Sequence, residues 1–326
     1  MSTSPSTQQH GANDGRGPDK GHGVSHGHGE GHGHGHGHGT DHGHGAGHAH
    51  GANHDHAHAV EGQAEILDLD AEVLAGQLAE ITAWLPLASA PRHIVDLGSG
   101  TGTGTFALLA RFPDARVTAV DASAEHLRRL SARAEASGLA DRVRTVRADL
   151  DGEWPDLGAP DLVWASASMH HMADPDRALR KVRDLLTPGG LFAVVELAGF
   201  PRFLPPDAPA ESPGLEDRLH ADSDAFHAEH VPHRGADWGP MLTAAGFTID
   251  AERTISIHLD RSHSDAVGRY ALESLRLLRT TLGETLSRAD SSALDSLLDP
   301  HGPGSIAHRD DLAVRTERMV WAARRE

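Results

Sequence analysis

The chain has 326 residues, 29 Lys+Arg against 47 Asp+Glu, and a formal net charge of −18, so it lacks the broad basic face that a nucleic-acid partner requires. It contains no cysteine, which excludes disulfides, thiolate nucleophiles and cysteine-held zinc or iron–sulfur centres. It shows neither a basic-then-apolar leader nor a membrane-length apolar run, so no membrane partner and a cytoplasmic location are expected.

Fifteen of the 27 histidines fall in residues 1–58, mostly in a Gly-His repeat that includes His32, His34, His36 and His38. Apolar residues there are too few to offset the entropy of folding, so residues 1–60 are expected to form a disordered tail. Neutral imidazoles on flexible glycine spacing suit Ni²⁺ or Zn²⁺. A metal-binding tail is one reading of this segment, and a solvated segment without a metal role is the other. Residues 61–326 then form the folded domain, with its core at about 90–200.

Residues 65–85 read as one amphipathic helix: Leu74, Leu78, Ile81 and Leu85 recur at helical spacing, Asp70 suits an N-cap, and Pro86 ends it. A regular alternation follows. Strands are predicted at about 93–98, 116–121, 143–148, 162–165 and 191–197, with helices at 103–111, 123–137 and from Asp174 to Leu186. Residues 200–236 are rich in Pro, Asp and His and read as a polar excursion over the strand ends. A short helix from Trp238, a strand at about 247–259, one long helical stretch at 265–298 and a last strand at 312–324 complete the chain. The pattern predicts an α/β fold: a doubly wound, mostly parallel seven-stranded sheet of Rossmann-like type, with helical lid insertions at about 200–236 and 262–304.

The stretch 93–105, HIVDLGSGTGTGT, combines an apolar run, a glycine-rich turn and the start of a helix. In an open α/β sheet such a turn lets a nucleotide-like ligand approach main-chain N–H groups closely. A phosphate-binding P-loop needs a lysine, and the turn has none. The dinucleotide fingerprint Gly-x-Gly-x-x-Gly meets Thr103 or Thr105 where its third glycine belongs, which disfavours an NAD-dependent oxidoreductase.

The arrangement Asp96-x-Gly98-x-Gly100-x-Gly102 resembles the first motif of class I S-adenosylmethionine-dependent methyltransferases. The resemblance extends through Asp121-Ala122, Asp149-Leu150, Ala165-Ser166, Met169-His170-His171-Met172 and Leu185-Leu186-Thr187-Pro188-Gly189-Gly190, in order over about 90–200. It implies that Asp96 orients the methionine amine, while Gly98, Ser99, Gly100 and Gly102 make room for the methionine and ribose. Asp121, with Ala122, meets the ribose hydroxyls, Asp149 and Leu150 meet the adenine, and Ala165 lines the cofactor. It also implies a small-molecule O or N acceptor, with His170, His171 and Glu196 facing it. One of these three is then the general base, although such a His pair also serves as structure. His220, His227, His230 and His233, with Asp222, Asp224 and Glu229, read as a metal site, an acceptor-pocket wall or a solvated excursion. A separate alternative makes the chain a metal-buffering or regulatory protein on a methyltransferase-like fold.

Overall fold

The computed structural model describes residues 63–326, apart from the side chains of Glu229 and His230. Its centre is a seven-stranded sheet in the order β3-β2-β1-β4-β5-β7-β6. Strands β1 (His93–Leu97), β2 (Arg116–Asp121), β3 (Val143–Arg147), β4 (Leu162–Ser166) and β5 (Leu191–Leu197) run parallel. Strand β7 (Ala313–Arg324) runs antiparallel between β5 and β6 (Thr248–Asp260), so β6 keeps the direction of β5.

The central strands are near-continuous apolar runs because both faces of the sheet are covered. Alternate residues serve opposite layers. Ile94, Leu162, Trp164 and Leu191 pack with Ile81 of α2 (Ala75–Trp84) and with Leu108 and Leu109 of α3 (Thr103–Arg111). Val95, Leu97, Val163 and Val194 pack with Leu179 and Val182 of α5 (Pro175–Leu185) and with Trp238 and Leu242 of α7 (Trp238–Ala244). Helix α4 (Ala124–Ala136) is capped by Ser123, whose Oγ accepts from the His126 N–H at 3.3 Å, and lies against β2 and β3.

A further core lies outside these layers. It joins Leu69 and Val73 of α1, a helix that includes 63–73, with Leu215 and Leu219 of α6 (Leu215–His230). It also takes Leu275 of α8 (Ala266–Leu282) and Leu294 of α9 (Arg288–Leu298).

The structure corrects several sequence expectations. The helix predicted over 65–85 breaks at Leu74, which caps α2. Asp70 is no N-cap: it lies inside α1, and its Oδ1 accepts from Tyr270 Oη at 2.6 Å and from Arg318 Nη2 at 2.9 Å. The helical stretch 265–298 divides at Gly283, whose φ of 50° leaves the helical region, and Ser287 caps the next helix. The polar excursion at 200–236 contains the 16-residue α6. Its buried face includes Glu216, His220 and Ser223 among its leucines, so apolar periodicity does not mark it. Glu216 accepts from the Phe203 and Leu204 N–H groups at 2.7 and 2.9 Å, which secures the chain entering the helix.

Candidate functional site

The carboxyl ends of β1, β2, β4 and β5 converge on one edge of the sheet, where ligands bind in open α/β folds. After Leu97 the chain turns through Gly98, Gly100 and Gly102, with φ of 66°, 54° and 98°. The first turn position is also spatially closed to larger residues, since a Cβ on Gly98 would stand 2.4 Å from Ser168 Cβ.

The turn is fastened from two sides. Asp121 Oδ2 accepts from the Gly100 N–H at 2.8 Å, and its Oδ1 accepts from the Ser123 N–H at 2.8 Å. Burial opposes the Asp121 charge. Hydrogen bonding from His126, Ser123 and Gly100 outweighs it, holding the carboxyl below the usual carboxylate range. From the other side, Ser168 Oγ donates to the Leu97 carbonyl at 2.8 Å.

Asp96 lies beneath the turn, 2% exposed, and its Oδ2 accepts from Thr105 Oγ1 at 2.6 Å. Desolvation dominates there and pushes the carboxyl up to about 7. Such a group gains from a cationic partner. Two hydroxyls of the turn, Ser99 Oγ and Thr101 Oγ1, are buried with no hydrogen-bond partner among the described residues. A buried hydroxyl left alone costs about 1–3 kcal/mol. Buried acid, open hydroxyls and side-chain-free turn positions together fit a polar ligand that carries an amine and a sugar.

The remaining residues that the resemblance assigns to the cofactor lie around this edge. Ala165 is fully buried in β4, in register with Leu97. Leu150 is buried, and Ala122 is exposed just past β2. Asp149 is not the end of β3, which stops at Arg147; it is exposed two residues later, and its Oδ1 accepts from the Asp151 N–H at 2.9 Å.

Beside the turn, the chain leaves β4 through Ala167, whose φ of 50° is left-handed despite its Cβ. Glu196 braces this corner. Its Oε1 accepts from the Ser168 and Met169 N–H groups at 3.2 and 2.8 Å, and its Oε2 lies 2.5 Å from His170 Nδ1. Glu196 and His170 are 1% and 5% exposed, whereas His171 reaches the surface. The two imidazoles lie 4.1 Å apart between centroids. Desolvation, followed by the neighbouring His170 charge, pushes His171 down to about 4, so its ring is neutral at neutral pH.

The expected His cluster at 200–236 divides. His220 is buried on α6, His227 Nδ1 lies 2.7 Å from the Ser223 carbonyl, and His233 stacks edgewise on Trp238. His230 lies outside the described side chains, and His32, His34, His36 and His38 lie outside the described residues altogether. Among the described residues no group of three or more His, Asp and Glu is placed to hold a metal. Among them, too, no helix is long and apolar enough to cross a membrane. Thr105, Ala167 and Ser168 were not marked as site residues by the sequence: Ala167 acts through its main-chain conformation and Ser168 through Leu97, 71 residues away, whereas Thr105 donates to Asp96 nine residues back within the glycine stretch.

A family described as a methyltransferase domain matches residues 95–192. A trans-aconitate 2-methyltransferase of Paracidovorax citrulli is 39% identical over 116 residues, covering 35% of this chain and 42% of that protein. Another protein of that name, from Methylobacterium nodulans, is 31% identical over 203 residues, covering 58% of this chain and 70% of that protein. The chain spans less than half the length of the first relatives it matches. A crystal structure of a Bacillus halodurans protein provisionally assigned as a methyltransferase aligns at TM-score 0.50 and 18% identity, over 77% of this chain and 99% of that one. At that identity the likeness speaks for the fold alone.

Proposed function

Since the chain belongs to the class I S-adenosylmethionine-dependent methyltransferases, we propose that it transfers a methyl group from S-adenosylmethionine to an O or N atom of a small-molecule acceptor. The observation that carries this is the 2.8 Å bond from the Gly100 N–H to Asp121, which joins the glycine turn to the end of β2 directly above the buried Asp96. When bound, the cofactor supplies an electrophilic methyl on a sulfonium. Asp96 holds its amine, while the open Ser99 and Thr101 hydroxyls and the glycine N–H groups line its path. Asp121, with Ala122, meets the ribose, Asp149 and Leu150 meet the adenine, and Ala165 lies under it.

On the acceptor side, exposed and neutral His171 takes the proton that an O–H or N–H acceptor loses as its new bond to carbon forms. Buried His170 and Glu196 position His171 by fixing the corner after β4. The segments 200–236 and 262–304 supply the acceptor pocket. Trans-aconitate is the acceptor named for the relatives. The first relatives match only about a third of this chain, so the acceptor class has to be read from this chain's own residues.

Calorimetry tests the reading: S-adenosylhomocysteine should bind and NAD should not. The reading is lost if S-adenosylhomocysteine gives no heat. The Gly-His repeat supports a second, separate role, in which His32, His34, His36 and His38 bind Ni²⁺ or Zn²⁺. Deleting residues 1–58 should abolish high-affinity Ni²⁺ binding and leave turnover unchanged. Lost turnover would place the tail in catalysis instead.

A further inference from the structure

The turn after α6 carries a buried cation that the scheme above does not use. The Arg234 side chain is 8% exposed, its guanidinium lies 4.3 Å over the Phe200 ring, and its Nη2 donates to Asp224 Oδ1 at 2.8 Å. Ring and carboxylate fix the plane and one edge of the fork. Its Nη1 is buried with no hydrogen-bond partner among the described residues. On α6, His220 is 2% exposed and its Nε2 is also without a partner among them. An unsatisfied buried donor costs about 1–3 kcal/mol, and more when charged, so these two nitrogens call for a ligand.

Their position is next to the methyl-transfer corner. Gly235 packs so closely on the chain leaving β5 that a Cβ there would stand 3.2 Å from the Ala198 carbonyl oxygen, and Phe200 follows two residues later. Arg234 and His227 both contribute to the depression of His171, after desolvation and His170. Arg202 and Arg234 likewise act on His220, again after desolvation. Asp224, which holds Arg234, lies one turn along α6 from His220, so both unpartnered nitrogens adjoin the same stretch of that helix.

The charge balance narrows the ligand class. Arg202 is paired with Asp217 at 2.8 Å, and Arg234 is already half-engaged by Asp224. What remains open is one edge of a planar guanidinium and one imidazole nitrogen. That suits the two oxygens of a carboxylate better than a phosphate dianion, which needs more positive charge than these acidic neighbours leave. The geometry points to a carboxylate subsite in the acceptor pocket, in which Arg234 Nη1 and His220 Nε2 hold a carboxylate of the methyl acceptor and select small organic acids over neutral analogues. This subsite rests on the methyl-transfer reading of the adjoining site.

The test uses the full chain loaded with S-adenosylhomocysteine. It is titrated calorimetrically with acetate, glutarate, benzoate and citrate, each against its amide, and with phenyl phosphate. At least one acid should bind about tenfold or more tightly than its amide. Arg234→Gln should weaken that acid by about tenfold or more, with S-adenosylhomocysteine affinity changed less than about twofold. Arg234→Lys should recover only part of the loss, because an ammonium keeps the charge without the fork. His220→Phe should give a smaller loss. The subsite is overturned if acids and amides bind alike or not at all, if Arg234→Gln leaves acid affinity unchanged, or if phenyl phosphate binds more tightly than every acid. If S-adenosylhomocysteine itself fails to bind, the methyl-transfer reading falls and the subsite falls with it. If it binds without any preference for acids, the subsite alone falls.

Discussion

His170 Nδ1 and Glu196 Oε2 stand 2.5 Å apart where neither side chain reaches solvent, while the adjacent His171 ring is accessible. Two neighbouring histidines thus stand in different surroundings, one buried and one exposed. Glu196→Ala removes the acceptor of two N–H groups and of His170, and should cost about 3–5 kcal/mol of stability. His171→Ala should change stability by only about 0.5 kcal/mol, yet slow turnover about 100-fold or more at saturating cofactor. Urea unfolding and single-turnover assays measure the two effects. Full turnover in His171→Ala would remove it as the base.

The bond between Asp121 and Gly100 predicts a pH-dependent loss. The Asp121 carboxyl is held low in the folded chain, so its stabilisation is present above the unfolded value of about 3.9 and disappears as pH falls through the lower folded value. Asp121→Ala should therefore destabilise the protein at pH 7 by about 1–3 kcal/mol. That difference should close in strong acid. The same substitution should weaken S-adenosylhomocysteine by about tenfold or more. Equal affinity in the two proteins would separate Asp121 from the ribose.

Asp96 predicts the opposite slope. Its folded value of about 7 lies above the unfolded one, so the folded chain holds an extra proton in between. The associated stabilisation is complete below about pH 3.9 and is lost as pH rises through about 7. Asp96→Asn should thus be more stable than the parent at pH 8, by about 1–3 kcal/mol, with a smaller gain at pH 5. S-adenosylhomocysteine carries a cationic amine, so its affinity for the parent should rise from pH 6 to pH 8. The variant should lack that rise. A rise of the same size in Asp96→Asn would assign the slope to another group.

Gly98→Ala places a methyl into Ser168 Cβ at a backbone φ of 66°. Both overpacking and the left-handed strain of alanine act there, for a loss of about 1–3 kcal/mol. The bond from Ser168 Oγ to Leu97 should break with it, and cofactor affinity should fall. Thermal unfolding with and without S-adenosylhomocysteine checks both effects. An unshifted midpoint would contradict the packing.

The glycine turn was legible in the sequence because it is local: an apolar run, alternate glycines and a helix start lie within thirteen residues. The parallel strands were legible for a related reason, since burial on both faces leaves continuous apolar runs such as Leu191–Leu197. A helical lid insertion at 200–236 was legible, but the face that α6 buries was not, because Glu216, His220 and Ser223 take core-facing positions and find their partners through the fold. The bracing of Ser168 and Met169 by Glu196 spans 28 and 27 residues of chain and leaves no spacing signal. The break at Leu74 was hidden by an apolar stripe that runs through it. The sequence also grouped His170, His171 and Glu196 as equals; burial divides them into two that hold and one that faces outward.

Asp70 ends on Tyr270 of α8 and Arg318 of β7, while Leu67 of the same helix lies within 3.4 Å of where a Gly100 side chain would begin. The cover of the glycine turn is thus secured by residues made some two hundred positions later. Chains are synthesised from the amino end and fold as their partners emerge, so β1 to β5 exist well before α1 can be fastened. The first described helix is among the last parts of this fold to be locked in place during synthesis.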